Sequence, residues 1–230
     1  KEIDGLLAIP VFGQPELHPT GEKAINLTWA YRAKPREAGD GYFEKLKARC
    51  ALRGDEERHD LEKYAAYSPV MNNVTMRVMI AQYLSDPAVR FHTADIEKAY
   101  VTTRMKRRVY VRHPPGFVIY LSDDGKLKAR RLKKFEKPPR TSMLLKRALY
   151  GGMECGRLFW DEYFDFHESL GFKRIHHDQC YLVLERGDEF IRMSVHVDDS
   201  GIAQKGNKLW EWYLKKLGEK YKFKLNPMTQ

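Results

Sequence analysis

The stretch Phe190-Ile191-Arg192-Met193-Ser194-Val195-His196-Val197, followed at once by Asp198-Asp199, constrains this chain more than any other. Apolar and polar residues alternate with period two, the pattern of a half-buried strand. The acidic pair is then expected at a strand end or hairpin turn. Neighbouring strand residues point to opposite faces, whereas a tight turn can bring both carboxylates to one side. There they repel unless cations neutralise them, and Mg²⁺ held by one or two carboxylates plus substrate phosphates is such a cation. The bland alternative is a solvated Asp-Asp turn, since Asp favours turns.

Charge adds a second constraint. Between Arg104 and Arg147 fifteen basic residues face three acidic ones, a net +12, which leaves −2 for the rest of a chain of +10. Tyr110, Phe117, Tyr120 and Phe135 are interleaved with these cations. Lys and Arg would meet phosphates and the rings could stack on bases, so a nucleic-acid partner is expected. A solvated basic loop and a nuclear import signal are the alternatives.

At 230 residues the chain can build one large or two small cores. No run approaches the roughly 20 apolar residues of a membrane span, and the first residues lack the features of a signal peptide. Starting without Met, the chain reads as an excised domain or processed product. Cys50, Cys155 and Cys180 are odd in number and widely spaced, which fits a reducing, intracellular compartment better than a disulfide framework. His176-His177-Asp178-Gln179-Cys180 holds metal-ligating types, but adjacent residues seldom converge on one ion.

Residues 1–24, with Pro10, Pro15 and Pro19, read as irregular. Strands are expected over Ile25–Tyr31 and Tyr42–Leu52, joined by Glu37–Gly41, with a polar loop from Gly54 to Asp60. Asn72 or Asn73 is expected to cap a helix to about Leu84, ended by Asp86-Pro87. Val89–Ala94 reads as a strand that delivers Asp95 to its end. Short strands follow at Val109–Arg112 and Leu144–Leu149. A helix spans Glu154 to Leu170 and stops at Gly171. Cys180–Glu185 and Phe190–Val197 flank a hairpin turn, and Leu209–Tyr221 is a last helix. The mixture predicts an α+β fold. Asp95, Asp198 and Asp199, at the ends of neighbouring strands, could hold two Mg²⁺ ions about 4 Å apart, the arrangement used for in-line phosphoryl transfer.

Five segments in order resemble one family. Thr93-Ala94-Asp95-Ile96-Glu97-Lys98-Ala99-Tyr100 is similar to the first catalytic motif of copia-type (Pseudoviridae) retrotransposon reverse transcriptases. Val109–Phe117 resembles their following segment, and Leu144–Gly151 the segment before their nucleotide-side helix. Lys45–Gly54 resembles their fingers strand, and Val197-Asp198-Asp199 the core of their third motif. The resemblance runs from about residue 25 to 225. It implies a fingers-and-palm fold in which the palm is a ferredoxin-like antiparallel sheet backed by helices. Fingers would cover 1–80, palm 81–104, a basic fingers insert 105–150 and palm again 151–230, with thumb and ribonuclease H beyond.

The implied activity is RNA-directed DNA polymerisation with two Mg²⁺ ions, or Mn²⁺. The implied partners are a primed RNA or DNA template, deoxynucleotides and the rest of a polyprotein, including the thumb, ribonuclease H and integrase. The implied location is a cytoplasmic virus-like particle or the nucleus.

By the same resemblance Asp95, Asp198 and Asp199 are catalytic metal ligands, with the Ile96 carbonyl as a further contact. Tyr100 would face the nucleotide sugar and exclude a 2′-hydroxyl, or else be a core aromatic. Lys47, with Arg49 and Arg53 as lesser candidates, would meet the triphosphate; an exposed strand Lys is the alternative. Glu97 is not a ligand position in the family. Two substrate-side positions depart from the pattern. His196 replaces a Tyr, bringing a pH-dependent charge to the primer end. Glu154 replaces a Gln that helps seat the nucleotide, and a carboxylate there would repel a triphosphate. The basic stretch between Phe117 and Leu144 is longer than usual. Two other functions fit: a domesticated or degenerate copy that binds nucleic acid without polymerising, and a structural subunit reusing the palm.

Overall fold

The structure, a computed structural model, describes residues 1–36, 42–57 and 66–228. The chain forms two compact units, each assembled from two segments: unit 1 from Lys1–Ala66 and Tyr100–Leu158, unit 2 from Tyr67–Ala99 and Phe159–Gln230. Helices and mostly antiparallel sheets are mixed, as an α+β chain requires.

Unit 1 carries the first correction. Residues expected to be irregular form helix α1 (Glu2–Leu7) and strand β1 (Phe12–Leu17). The prolines misled: Pro15 lies on an edge strand, next to an irregularity in its pairing, where a missing N–H costs nothing. A four-stranded sheet runs β1, β9 (Thr141–Leu145), β6 (Tyr110–Val111), β2 (Ala24–Ile25). The run expected as Ile25–Tyr31 splits at Asn26, whose backbone and side-chain N–H groups donate to the Glu56 carboxylate at 2.9–3.0 Å. Beyond it β3 (Leu27–Pro35) pairs with β4 (Phe43–Leu52) as a two-stranded ribbon. The turn expected at Glu37–Gly41 and the end of the loop expected at Gly54–Asp60 lie outside the described residues.

The strand expected at Leu144–Leu149 begins and ends earlier, as β9. Its tail leaves the sheet because the Ala148 N–H donates instead to the Thr103 carbonyl, at 2.9 Å. The basic stretch holds a ribbon of its own, β7 (Phe117–Leu121) with β8 (Leu127–Arg131). Val11, Ile25, Cys50, Leu52, Val111, Met143 and Leu149 fill the core of this unit.

Unit 2 is built on a six-stranded antiparallel sheet. Its order is β10 (Lys173–Ile175), β11 (Asp178–Arg186), β12 (Glu189–His196), β13 (Asp199–Lys205), β5 (Arg90–Ile96), β14 (Phe223–Met228). Helix α2 (Asn73–Ser85) is capped by Asn72, whose side chain accepts from the Val74 N–H at 2.8 Å. Its Met79 and Tyr83 pack on Phe91 and Ala203. Successive strand residues alternate faces, so His92 points the other way and stacks on Trp210 of α4 (Asn207–Lys220), 4.7 Å between rings. Helix α3 (Cys155–Ser169) supplies Tyr163 and His167, which bury against Tyr213. The sheet is thus covered by one helix on one face and two on the other. The three cysteines are buried and unpaired, and burial pushes the Cys50 and Cys155 thiols up to about 12. Among the described residues no helix is long and apolar enough to cross a membrane.

Candidate active site

Strands β12 and β13 are joined by the two-residue turn Val197-Asp198, so the alternating run does end in a tight hairpin. Val197 has φ +59. A β-branched residue in the left-handed region costs about 1–2 kcal/mol, which the flanking ladder must hold in place. The Ile96 N–H donates to the Asp198 carbonyl at 3.0 Å, tying the end of β5 to this turn.

Register does the rest. His196 pairs with Asp199, Asp199 with Asp95 and Asp95 with Lys224. Directly opposed residues share a face, so four side chains form one row across β12, β13, β5 and β14: His196, Asp199, Asp95, Lys224. Two carboxylates sit side by side in its middle, with Asp198 in the adjoining turn. Like charges placed directly opposite destabilise a sheet. The Asp199 carboxyl is accordingly pushed up, first by partial withdrawal from water and then by the charges on Asp198 and Asp95, while His196 acts in the opposite sense.

Carboxylate oxygens are hard donors of the kind Mg²⁺ and Mn²⁺ take, and the mutual repulsion of these three is what a divalent cation relieves. As they stand, no three His, Cys, Asp or Glu side chains among the described residues close around an ion. Glu97 is turned elsewhere: its carboxylate meets Lys222 at 3.3 Å and Lys224 at 3.7 Å. Lys222 and Lys224 were not singled out from the sequence. The alternation Tyr221-Lys222-Phe223-Lys224-Leu225 marks a strand; that it pairs with β5 emerges only in the structure.

The remaining candidates lie in unit 1. Lys47 and Arg49 occupy one face of the β3–β4 ribbon, opposite Arg32 and Ala30. Lys34 and Lys45 share that face, and the other carries Trp29, Tyr31 and Leu46. The Arg49 guanidinium lies 4.9 Å from the centre of the Tyr150 ring, and Tyr150 meets Tyr100 edge-on at 4.9 Å. Arg49, Tyr150 and Tyr100 therefore form one contiguous cluster. Arg53 is engaged by Asp55 at 2.7 Å and Glu56 at 3.0 Å, and the hydrogen bond it donates to Asp55 raises its pKa further. That pairing ties it up and makes it the weakest of the three basic candidates.

Two glycines let β4 and the Tyr150 turn touch backbone to backbone. A Cβ on Gly54 would stand 2.3 Å from the Gly151 carbonyl oxygen. One on Gly151, itself at φ +85, would stand 2.2 Å from that of Leu52.

Glu154 does not stand as a bare carboxylate. The Arg107 Nε–H donates to it at 2.9 Å. The other edge of the same guanidinium grips Glu57, whose carboxylate also accepts from the Met153 N–H at 2.9 Å. Arg107 thus bridges two largely buried acids.

A sequence profile of the family described as reverse transcriptase (RNA-dependent DNA polymerase) matches residues 16–229. The chain belongs to that reverse transcriptase family. Among curated relatives, the Retrovirus-related Pol polyprotein from transposon RE1 of Arabidopsis thaliana is 25% identical over 181 residues, 79% of this chain and 11% of the relative. That from transposon RE2 of the same plant is 25% identical over 206 residues, 90% of this chain and 13% of the relative. The reverse transcriptase chain therefore spans about a tenth of the length of these polyproteins. Their kind makes it a copia-type reverse transcriptase domain, as the five motifs imply. Among solved structures, telomerase from Candida albicans with a fragment of telomeric RNA aligns over 100% of this chain and 45% of its own. Its TM-score is 0.47 and its identity 10%.

Proposed function

We propose that this reverse transcriptase domain adds deoxynucleotides to a primer 3′-end on an RNA template, with unit 2 as palm and unit 1 as fingers. The observation that carries the proposal is the register row in which Asp95 and Asp199 stand opposite each other beside Asp198. Asp95, Asp198 and Asp199 would hold Mg²⁺, or Mn²⁺, with the Ile96 carbonyl as a further donor. Bound there, divalent ions supply Lewis acidity to the attacking 3′-hydroxyl and the leaving pyrophosphate.

The protein's own contribution is positioning. The β12–β13 turn fixes Asp198 against the end of β5. His196, exposed at the neighbouring strand end, is available to the primer terminus. Lys222 and Lys224 draw Glu97 away, which keeps a fourth carboxylate out of the metal set. In the fingers, Lys47 and Arg49 would act as cations on the triphosphate; Tyr100, in the motif that begins with Asp95, would exclude a 2′-hydroxyl. These roles follow from the resemblance and from the ribbon face that carries both cations. The Glu154 carboxylate, paired with the Arg107 guanidinium that it shares with Glu57, repels a triphosphate less than an isolated one would. The segment between Arg104 and Arg147 would bind the nucleic-acid backbone, and the other polyprotein regions would complete the grip. A cytoplasmic particle or the nucleus, where template and deoxynucleotides are present, is the expected location.

Primer extension on an RNA template tests this reading in the complete polyprotein product, comparing the parent with Asp198→Asn. Incorporation by the parent alone supports it, and equal incorporation by both excludes the assigned site. A second reading, nucleic-acid binding without polymerisation, is favoured by the departures at His196 and Glu154. It predicts salt-dependent binding, no incorporation by the parent and no rescue by Glu154→Gln.

A further inference from the structure

The ribbon β7–β8 leads into a turn to which the polymerase reading gives no role beyond general contact with the nucleic-acid backbone. Lys133–Glu136 closes through the Glu136 N–H donating to the Lys133 carbonyl at 3.0 Å, and the Lys133 N–H donating back to the Glu136 carboxylate at 2.8 Å. Arg130 clamps the same carboxylate with two N–H bonds of 2.8 and 2.6 Å. The clamp holds Glu136 down to about 2, so it stays ionised. The Leu132 N–H is fixed to the Gly116 carbonyl at 2.9 Å, and Pro138-Pro139 stiffen the exit. The only acid of this stretch is thereby spent on holding the turn. Lys133, Lys134, Lys137 and Arg140 surround it as an excess of positive charge.

At the tip stands Phe135. Its side chain is 91% exposed, and its φ is +67. Glycine would serve such a turn position without strain and without presenting a ring to water. A phenylalanine there bears both costs, in a turn built to hold it outward. The Lys134 ammonium lies over one face of the ring, 5.2 Å from its centre.

We propose that the Phe135 turn is a stacking platform for single-stranded nucleic acid, separate from the carboxylate site and independent of polymerase activity. A base would lie on the open face of Phe135, while Lys133, Lys134 and Lys137 meet the flanking phosphates. Neither contact reads the sugar or the base identity, so RNA and DNA oligomers bind alike and sequence matters little. Duplex binds less well, since its bases are already stacked.

The test is fluorescence anisotropy of labelled 20-mers of uridylate and of thymidylate, with heparin as a polyanion control, on the intact protein. Phe135→Gly relieves the backbone and removes only the ring. It weakens both oligomers by about 5- to 150-fold, the range of one stacked base, and leaves heparin binding unchanged. Phe135→Trp restores the affinity. Replacing Lys133, Lys134 and Lys137 together by Ala lowers the slope of log affinity against log salt by about 2, at roughly 0.7 per phosphate contact. Parent-like oligomer binding by Phe135→Gly overturns the platform, as does an equal loss on heparin. Asp198→Asn retains the Phe135-dependent binding, so failure here and failure of the polymerase reading are told apart.

Discussion

Replacing Arg107 by Met is the sharpest structural perturbation available in unit 1. The guanidinium is the shared partner of Glu57, whose side chain is 1% exposed, and Glu154, at 10%. Its removal strands a buried carboxylate that keeps one backbone donor, the Met153 N–H. Breaking a buried pair costs about 3–5 kcal/mol. The Arg107 side chain is itself 32% exposed, so solvent screening places the loss near the lower end, about 3 kcal/mol. For a chain of this size that lowers Tm by roughly 6–12 °C. Glu154→Gln behaves differently. It keeps an acceptor for the Arg107 Nε–H, leaves the Glu57 pair whole and costs under about 1 kcal/mol. Converting all three together (Glu57→Gln, Arg107→Met, Glu154→Gln) recovers most of the loss, because no uncompensated charge remains. Thermal unfolding followed by circular dichroism reads all three variants. An Arg107→Met protein melting within 2 °C of the parent, or a triple variant less stable than Arg107→Met, would refute the reasoning.

Other expectations follow from single residues. His167 is fully buried; its Nδ1–H donates to the Tyr163 carbonyl at 2.7 Å and its Nε2 accepts from the Tyr213 hydroxyl at 3.0 Å. Burial holds its pKa down to about 4, against about 6.5 unfolded. Between those values the unfolded chain takes up a proton that the folded chain refuses, so stability is complete above pH 6.5 and falls as pH drops towards 4. The loss between pH 7 and 4.5 is about 2.4 kcal/mol; urea midpoints across that range should fall more steeply in the parent than in His167→Gln. Val197→Gly relieves the left-handed turn residue and should leave Tm unchanged or higher, whereas a drop of several degrees would mean that Val197 packing outweighs its strain. Gly151→Ala places a Cβ against the Leu52 carbonyl at positive φ and should cost 2 kcal/mol or more, on the order of the larger backbone penalties; a parent-like melt would contradict the close approach.

Much of unit 2 was legible because period-two alternation is strongest where one face is buried, as in β11 and β12. The Asp198-Asp199 turn and the strand ending at Asp95 could be read for the same reason. Strand β13 could not. Ser200-Gly201-Ile202-Ala203 lacks the β-branched signature, and its Gly201 lies under the end of the Met76 side chain, whose Cε would stand 2.6 Å from an added Cβ. Lys224 entered the carboxylate row through β14, whose pairing no local pattern specifies. In unit 1 the prolines hid β1 and α1, and the density of charge in Leu127–Arg131 hid β8, which forms a two-stranded ribbon with little to bury. Glu154 was legible as a departure but not as a paired group. Its partner Arg107 lies 47 residues away, beyond any local pattern.

The central claim is that Asp95, Asp198 and Asp199 act as one unit and Glu97 stands outside it. Single-nucleotide incorporation on a primed RNA template measures this directly, with Asp95→Asn, Asp199→Asn, their double variant and Glu97→Gln in the complete polyprotein product. Each single Asp variant should lose on the order of 10³-fold or more, and the double should lose little beyond either single, as groups acting together do. Glu97→Gln should stay within a few-fold of the parent. Multiplying losses in the double variant, or a Glu97→Gln protein as inactive as Asp95→Asn, would contradict the account.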